Sequence, residues 1–307
     1  MKSFYDLEQY CSLTFESVAP LWHVWTPENH EIFFTDTESF RAGMNILAIA
    51  AKLSPGIKII TFELMTNHLH LTIAGERAKV EAFLSILKKY LSAFLRSCGK
   101  AQLGRDFAFK SRELDSLDNV RNVIVYNNRN GYVVNPAWTP FSYPWGANAY
   151  YFNPTAKKRF TDAEVVRLTQ RERRHFIRSH DSDGMADSPR LLDGFACPLD
   201  FCDVNTGEKL FRNASHYFRE VSRNIESQKT VAAEIGERYF YNDDDLFAAV
   251  RQISKEKYGQ LRPALLPPDA KTELARRMHY EYYAGNKQIA RILKADIDVI
   301  NSLFPTV

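Results

Sequence analysis

Two short stretches of this chain carry residue types that could do chemistry together. The first is His68-Leu69-His70, inside the apolar run Lys58–Ala74. On an extended strand, residues i and i+2 point to the same face. His68 and His70 would then present two imidazoles side by side, a plausible two-ligand metal platform. The plainer alternative is two histidines on the solvated face of an edge strand. The second stretch is Tyr126-Asn127-Asn128-Arg129-Asn130. If it is helical, Tyr126 and Asn130 stand at i and i+4 and share one face. A phenol and an amide oxygen would be offered together. The alternative here is a surface tyrosine near a helix end, followed by Asn-Gly as a C-terminal stop.

Other candidates are weaker. Cys197 and Cys202 lie downstream of His175 and His180, but the spacing fits no common zinc pattern. They read as structural or incidental. His23 and His30 read as structural or exposed. Glu63 stands five residues before His68 and falls on the opposite face of a regular strand, so no catalytic role is assigned to it. The chain has no Walker-type phosphate loop and no Gly-x-Ser-x-Gly elbow. Nucleotide hydrolysis and a serine nucleophile are therefore not indicated.

The elements that must position these residues follow from periodicity. Leu21–Trp25 reads as a first strand. Thr37–Leu53 has helical spacing through Phe40, Met44, Leu47 and Ala51. Ile57–Met65 and His68–Ala74 read as strands joined tightly at Thr66-Asn67. Arg77–Cys98 is the clearest helix, with Val80, Phe83, Leu84, Leu87, Leu91 and Leu95 forming a stripe. Phe107–Arg112 is a short strand candidate, and Leu117–Asn130 is the helix that bears the tyrosine. Strand, helix, strand, strand, helix, strand, helix is a ferredoxin-like α+β pattern. It puts the histidine pair on a central strand under the tyrosine helix.

Taken together, the residues resemble the single-tyrosine HUH transposases, in particular the REP-associated tyrosine transposase branch. Met65-Thr66-Asn67-His68-Leu69-His70-Leu71 is similar to that family's Asn-His-hydrophobic-His strand. Tyr126-x-x-x-Asn130 is similar to its tyrosine helix. Gly131–Pro136 and Phe141–Gly146 are like its aromatic tail. The likeness covers roughly residues 18–153. One departure stands out: Gly131 occupies the place where the family usually has proline.

The resemblance implies a ferredoxin-like HUH fold, a homodimer and a DNA strand transferase. Tyr126 would be the nucleophile, with Tyr132 its nearest competitor. An unperturbed phenol, with a pKa near 10, needs activation to attack at neutral pH. A divalent ion held by His68, His70 and Asn130 would polarise the scissile phosphate and stabilise the leaving oxygen. The amide and phosphate oxygens suit Mg²⁺ or Mn²⁺, whereas imidazole alone favours a softer ion such as Mn²⁺ or Zn²⁺.

Composition sets the bounds. At 307 residues the chain is long enough for two domains and a sizeable core. Hydrophobic residues at 45% and charged residues at 25% are ordinary for a soluble globular protein. Four cysteines without paired spacing, no secretory signal and no apolar run of membrane length point to the cytoplasm and to no membrane partner. Net charge is only +3, so any phosphate contact must come from local clusters such as Lys157-Lys158-Arg159, Arg171 with Arg173-Arg174, and Arg276-Arg277.

The expected organisation is a catalytic domain over residues 1–153, a helical extension over 154–260 and a C-terminal segment over 261–307. In the last, Lys287–Leu293, a short polar turn and Ile297–Phe304 resemble a helix-turn-helix, whose second helix would enter a major groove. Arg276, Arg277, Lys287, Arg291 and Lys294 are its candidate DNA contacts. The alternative is a small helical bundle for packing or dimerisation.

The leading expectation is a metal-dependent enzyme that cuts and rejoins single-stranded or hairpin DNA through a 5′-phosphotyrosine. The alternative is a domesticated DNA-binding protein that recognises palindromic repeats without transposing. A third reading is a metal-dependent nuclease or a noncatalytic RNA-binding domain.

Overall fold

The computed structural model describes residues 20–26, 33–133, 138, 142–161, 167–177, 189–223, 229, 231–233, 239–241 and 243–305. Residues 1–19, His30 and His180 lie outside these residues. The described residues fall into two compact units, one running to Val231 and one beginning at Ala232, with Val133 grouped with the second.

The first unit is α+β. It begins β1 (Leu21–Trp25), α1 (Thr37–Lys52), β2 (Lys58–Leu64), β3 (Leu69–Ala74), α2 (Arg77–Ser97), β4 (Lys110–Leu114) and α3 (Leu117–Val133). The four strands form one antiparallel sheet in the order β2-β3-β1-β4, so β3 is central. Asp36 and Ser39 form a capping box that starts α1. The Met65 N–H donates to the His68 carbonyl at 2.8 Å, closing a tight β2–β3 turn.

The sheet has two chemically different faces, and both are buried. Trp22, Val24, Leu69, Leu71, Ile73, Phe62 and Leu64 make one, an apolar face. It lies under α1 and α2: Leu64 reaches Gly43 of α1, and Arg77 of α2 stacks over Trp22. The other face carries His23, Thr61, Glu63, His70 and Thr72, all fully buried. It is covered by α3, whose Asn127 amide donates to the Thr72 hydroxyl at 3.1 Å.

An irregularity at Ile60 lets residues 59 and 61 both pair with β3, and it fixes which β2 side chains reach the polar face. β4 starts three residues later than the Phe107-Ala108-Phe109 run suggests. It is an edge strand, and Lys110 and Arg112 mark it with charge, as edge strands commonly are.

After α3 the first unit continues through a short 3₁₀ turn at Asn148–Tyr150, then α4 (Pro154–Thr161), α5 (Gln170–Ile177), a β5–β6 hairpin (Leu191–Leu192 and Phe195–Ala196), α6 (Val204–Lys209) and α7 (Ala214–Arg223). Cys197 and Cys202 are buried free thiols, and the Cys202 thiol donates to the Ile60 carbonyl.

The second unit holds α8 (Asp243–Tyr258), α9 (Pro268–Tyr280), α10 (Asn286–Leu293) and α11 (Ile297–Leu303). Leu246 and Val250 of α8 share one core with Leu274, Met278, Ile289, Leu293 and Ile300. The boundary expected at residue 261 falls inside this core. The proline-rich stretch there is a bend between packed helices, because both flanking helices bury apolar faces against α10. No helix among the described residues is long and apolar enough to cross a membrane.

Candidate active site

The polar face of the sheet and the inner side of α3 build one site. His68 sits at the end of the turn, immediately before β3, and His70 is the second residue of the strand. Their rings meet edge to face, with centroids 4.9 Å apart. The carbonyl oxygen of the Asn67 side chain lies 2.8 Å from His68 Nδ1. If Nδ1 carries the proton, it donates to that oxygen and leaves Nε2 with a free lone pair, the usual support of a metal-bound histidine.

Tyr126 of α3 meets His70. Its ring stands edge-on to His70 at 5.6 Å between centroids. At 4% exposure it is buried, which excludes a surface tyrosine at a fraying helix end. The helix does not stop at Asn130-Gly131 but runs on to Val133. Asn130, one turn after Tyr126 on the same side of α3, is half-buried.

Several members of the site were not expected. His23 of β1 is wholly buried and stacks on His70 at 5.7 Å. Glu63 shares the face of His70: the two are directly paired across the β2–β3 ladder. Counting along one strand put Glu63 on the far face, but the chain reverses at Thr66-Asn67 and pairing replaces parity.

Beside them a chain of hydrogen bonds ties the sheet to α3 and α7. The Thr61 hydroxyl donates to the Asn128 side-chain oxygen. The Asn128 amide donates to Tyr217 at 2.7 Å, and the Tyr217 hydroxyl donates to Asn148 at 2.6 Å. These partners satisfy polar groups that would otherwise be costly to bury. The one sequence signal for the layer was the run of asparagines in α3, polar residues where an ordinary amphipathic helix would be apolar.

Burial sets the charge state of the site. It holds the His68 imidazole down at about 4. It holds His23 at about 3, assisted by the Arg112 charge and opposed by Asn127. His70 is pushed well below the usual value by burial and then by His68 and His23. Burial pushes the Glu63 carboxyl well above its usual range, opposed by the Gly131 backbone N–H. At neutral pH all three imidazoles are therefore uncharged, and His68 and His70 are in the form that binds a metal.

A pH dependence of stability follows. An unfolded histidine takes its proton below about 6.5, but these folded ones do not, so their contribution is present above 6.5 and lost as pH falls. Glu63 has the opposite sign: above 4.5 it keeps a proton in the folded chain that the unfolded chain has lost. Three imidazoles outweigh one carboxyl, so stability is expected to fall as pH drops below 6.5. Urea unfolding between pH 6.5 and 5, in the presence of a chelator, measures this slope. A flat profile would mean that the imidazoles are not buried as described.

Among the described residues, no three histidine, cysteine, aspartate or glutamate side chains converge to hold a metal. An ion on the His68–His70 pair would take its other ligands from an amide, water or phosphate. Two neutral imidazoles fit that demand and leave positions open; Asn130 stands one turn after Tyr126 on the same helix.

The chain matches no family model, no curated protein and no solved structure. The site must therefore be read from its own chemistry.

Proposed function

We propose that this chain is a metal-dependent, single-tyrosine DNA strand transferase of the HUH type, acting in the cytoplasm as a homodimer on single-stranded or hairpin DNA. The observation that carries the reading is the contact of the Tyr126 ring with His70, which itself meets His68. A nucleophile and a pair of neutral imidazoles, distant in sequence, share one buried site. The sheet supports the same reading, because the order β-α-β-β-α-β and the antiparallel pairing β2-β3-β1-β4 are what a ferredoxin-like fold would have.

In the proposed reaction the Tyr126 oxygen attacks the phosphorus of the scissile diester. The bond from phosphorus to O3′ breaks, and the products are a 5′-phosphotyrosine and a free 3′-OH. The phenol loses its proton and the departing 3′ oxygen gains one. The diester energy is conserved, so the reverse attack by a 3′-OH rejoins strands without a nucleotide cofactor. His68, His70 and Asn130 would hold Mg²⁺ or Mn²⁺, which supplies Lewis-acid polarisation of the phosphate when bound. The chain's own part is to hold the phenol against His70, to keep both imidazoles neutral and to keep bulk water from the buried face.

The burial of Tyr126 favours a second reading, a domesticated protein that binds palindromic repeats without cutting them. Incubation with hairpin DNA and Mn²⁺ separates the two. The first reading requires an adduct that survives denaturation and is absent with chelator, whereas the second requires binding alone.

The second unit is proposed to add DNA affinity. There α10, a turn with Lys294 in a left-handed conformation and α11, capped by Asp296, form a helix-turn-helix-like end. Arg276, Lys287 and Lys294 are exposed. Arg277 is bonded to Glu281, and Arg291 makes two bonds to Asp243, so these two are already engaged. Replacing Arg276, Lys287 and Lys294 together by alanine is expected to lower the log–log salt slope of duplex binding by about 0.9 per lost contact. An unchanged slope would assign the unit to packing or dimerisation.

A further inference from the structure

Glu63 is the one acidic side chain that is buried among the described residues. Its oxygens find no side-chain donor, and the Gly131 backbone N–H is the donor that favours its charge. An apolar side chain of the same size would bury at lower cost, because a buried carboxyl without a partner is destabilising. Something other than stability therefore accounts for its place.

That place is a cleft made by two glycines. A methyl group added at Gly131 would overlap one carboxyl oxygen and the Tyr143 ring. One added at Gly146 would overlap the other oxygen, and its three nearest neighbours all belong to Glu63. Gly146 is held there because residues 145–147 pair with β2: the Leu64 N–H donates to Trp145 at 2.8 Å and the Ala147 N–H donates to Phe62 at 2.9 Å. Tyr143 closes the cleft, its hydroxyl donating to the Leu64 carbonyl at 2.5 Å. Gly131 directly follows Asn130 and stands five residues after Tyr126 on the same rigid helix. Proline at 131 would bring a ring where the carboxyl lies and would lack the N–H that faces it.

We propose that Glu63 is the positioning residue of the tyrosine helix. Wedged between Gly131 and Gly146, its carboxyl sets how closely the last turns of α3 approach β2 and β3, and so where Tyr126 and Asn130 stand over His68 and His70. The catalytic consequence rests on the strand-transferase reading, whereas the placement of Tyr126 does not.

The test uses the full chain with Glu63→Met and Glu63→Gln. Four quantities are read: Tm, hairpin-DNA affinity, the rate of adduct formation with Mn²⁺, and the Tyr126–His70 ring contact by NMR with labelled tyrosine and histidine. Glu63→Met is expected to keep Tm and DNA affinity at the wild-type level, to lose the ring contact and to slow adduct formation about tenfold or more. Glu63→Gln, which preserves size and polarity, should stay within about threefold of wild type.

Retention of both ring contact and adduct rate in Glu63→Met overturns the proposal. So does an adduct rate that falls only in step with Tm, which would mark a packing group. Should Glu63→Met not fold, Gly146→Ala presses on the same carboxyl from the other side and is expected to weaken the ring contact, and an intact contact there overturns the proposal. If wild type forms no adduct, the strand-transferase reading fails, and the ring contact still decides the role of Glu63.

Discussion

Tyr126→Phe is expected to abolish covalent protein–DNA adducts, by more than about 10³-fold, while hairpin-DNA affinity stays within about twofold. Only one oxygen is removed. The ring stays in its edge-on contact with His70, so the packing of α3 on the sheet survives. Binding and chemistry therefore separate cleanly. Electrophoresis under denaturing conditions reads the adduct, and fluorescence anisotropy reads the affinity. An adduct that persists in the Phe variant would move the nucleophile elsewhere, with Tyr132 the first alternative. A parallel loss of DNA affinity would make the hydroxyl a binding group.

The second large effect concerns the three imidazoles, which the proposed function sorts by role. His70→Ala and His68→Ala are each expected to lower Mn²⁺ affinity more than about 100-fold, since removing a ligand should exceed the loss seen for its outer-shell supports. His23→Ala is expected to retain Mn²⁺ binding within about tenfold and to destabilise instead, because it leaves a void beside His70 and Trp25 in a fully buried layer. Electron paramagnetic resonance titration reads the ion, with circular dichroism confirming the fold of each variant. Equal losses of Mn²⁺ affinity in all three would mean that the layer acts through stability alone. No loss in His68→Ala would remove the metal platform.

Much of the first unit was legible from periodicity. The Arg77–Cys98 stripe is α2 with its end shifted by one residue, and Thr37–Leu53 is α1 likewise. Apolar stripes are strong signals because one face of each helix has a single place to go. The polar face of the sheet was not legible, and the reason is register. His23, Glu63 and Thr72 come to lie around His70 through pairings between strands, and no spacing within one strand encodes these. His68 shows the limit of the strand reading. The i, i+2 rule assigned both histidines to a strand, whereas His68 stands one residue before the strand, where its carbonyl accepts from Met65 across the turn and its ring still meets that of His70.

The second unit failed differently. The boundary expected at 261 falls beside prolines at 263, 267 and 268, yet these bend a chain whose core begins at Leu246. Local breakers locate bends, whereas only tertiary burial says whether a bend is also a boundary.

The most direct measurement of the central claim is peptide mapping of the covalent adduct. Wild-type protein is incubated with hairpin DNA and Mn²⁺, denatured and digested, and the nucleotide-bearing peptide is sequenced by mass spectrometry. The account predicts a phosphodiester link from the Tyr126 phenol to the 5′ end of the cleaved strand, with a free 3′-OH on the other fragment. A link on any other residue, or quantitative DNA binding with no covalent product, would contradict it.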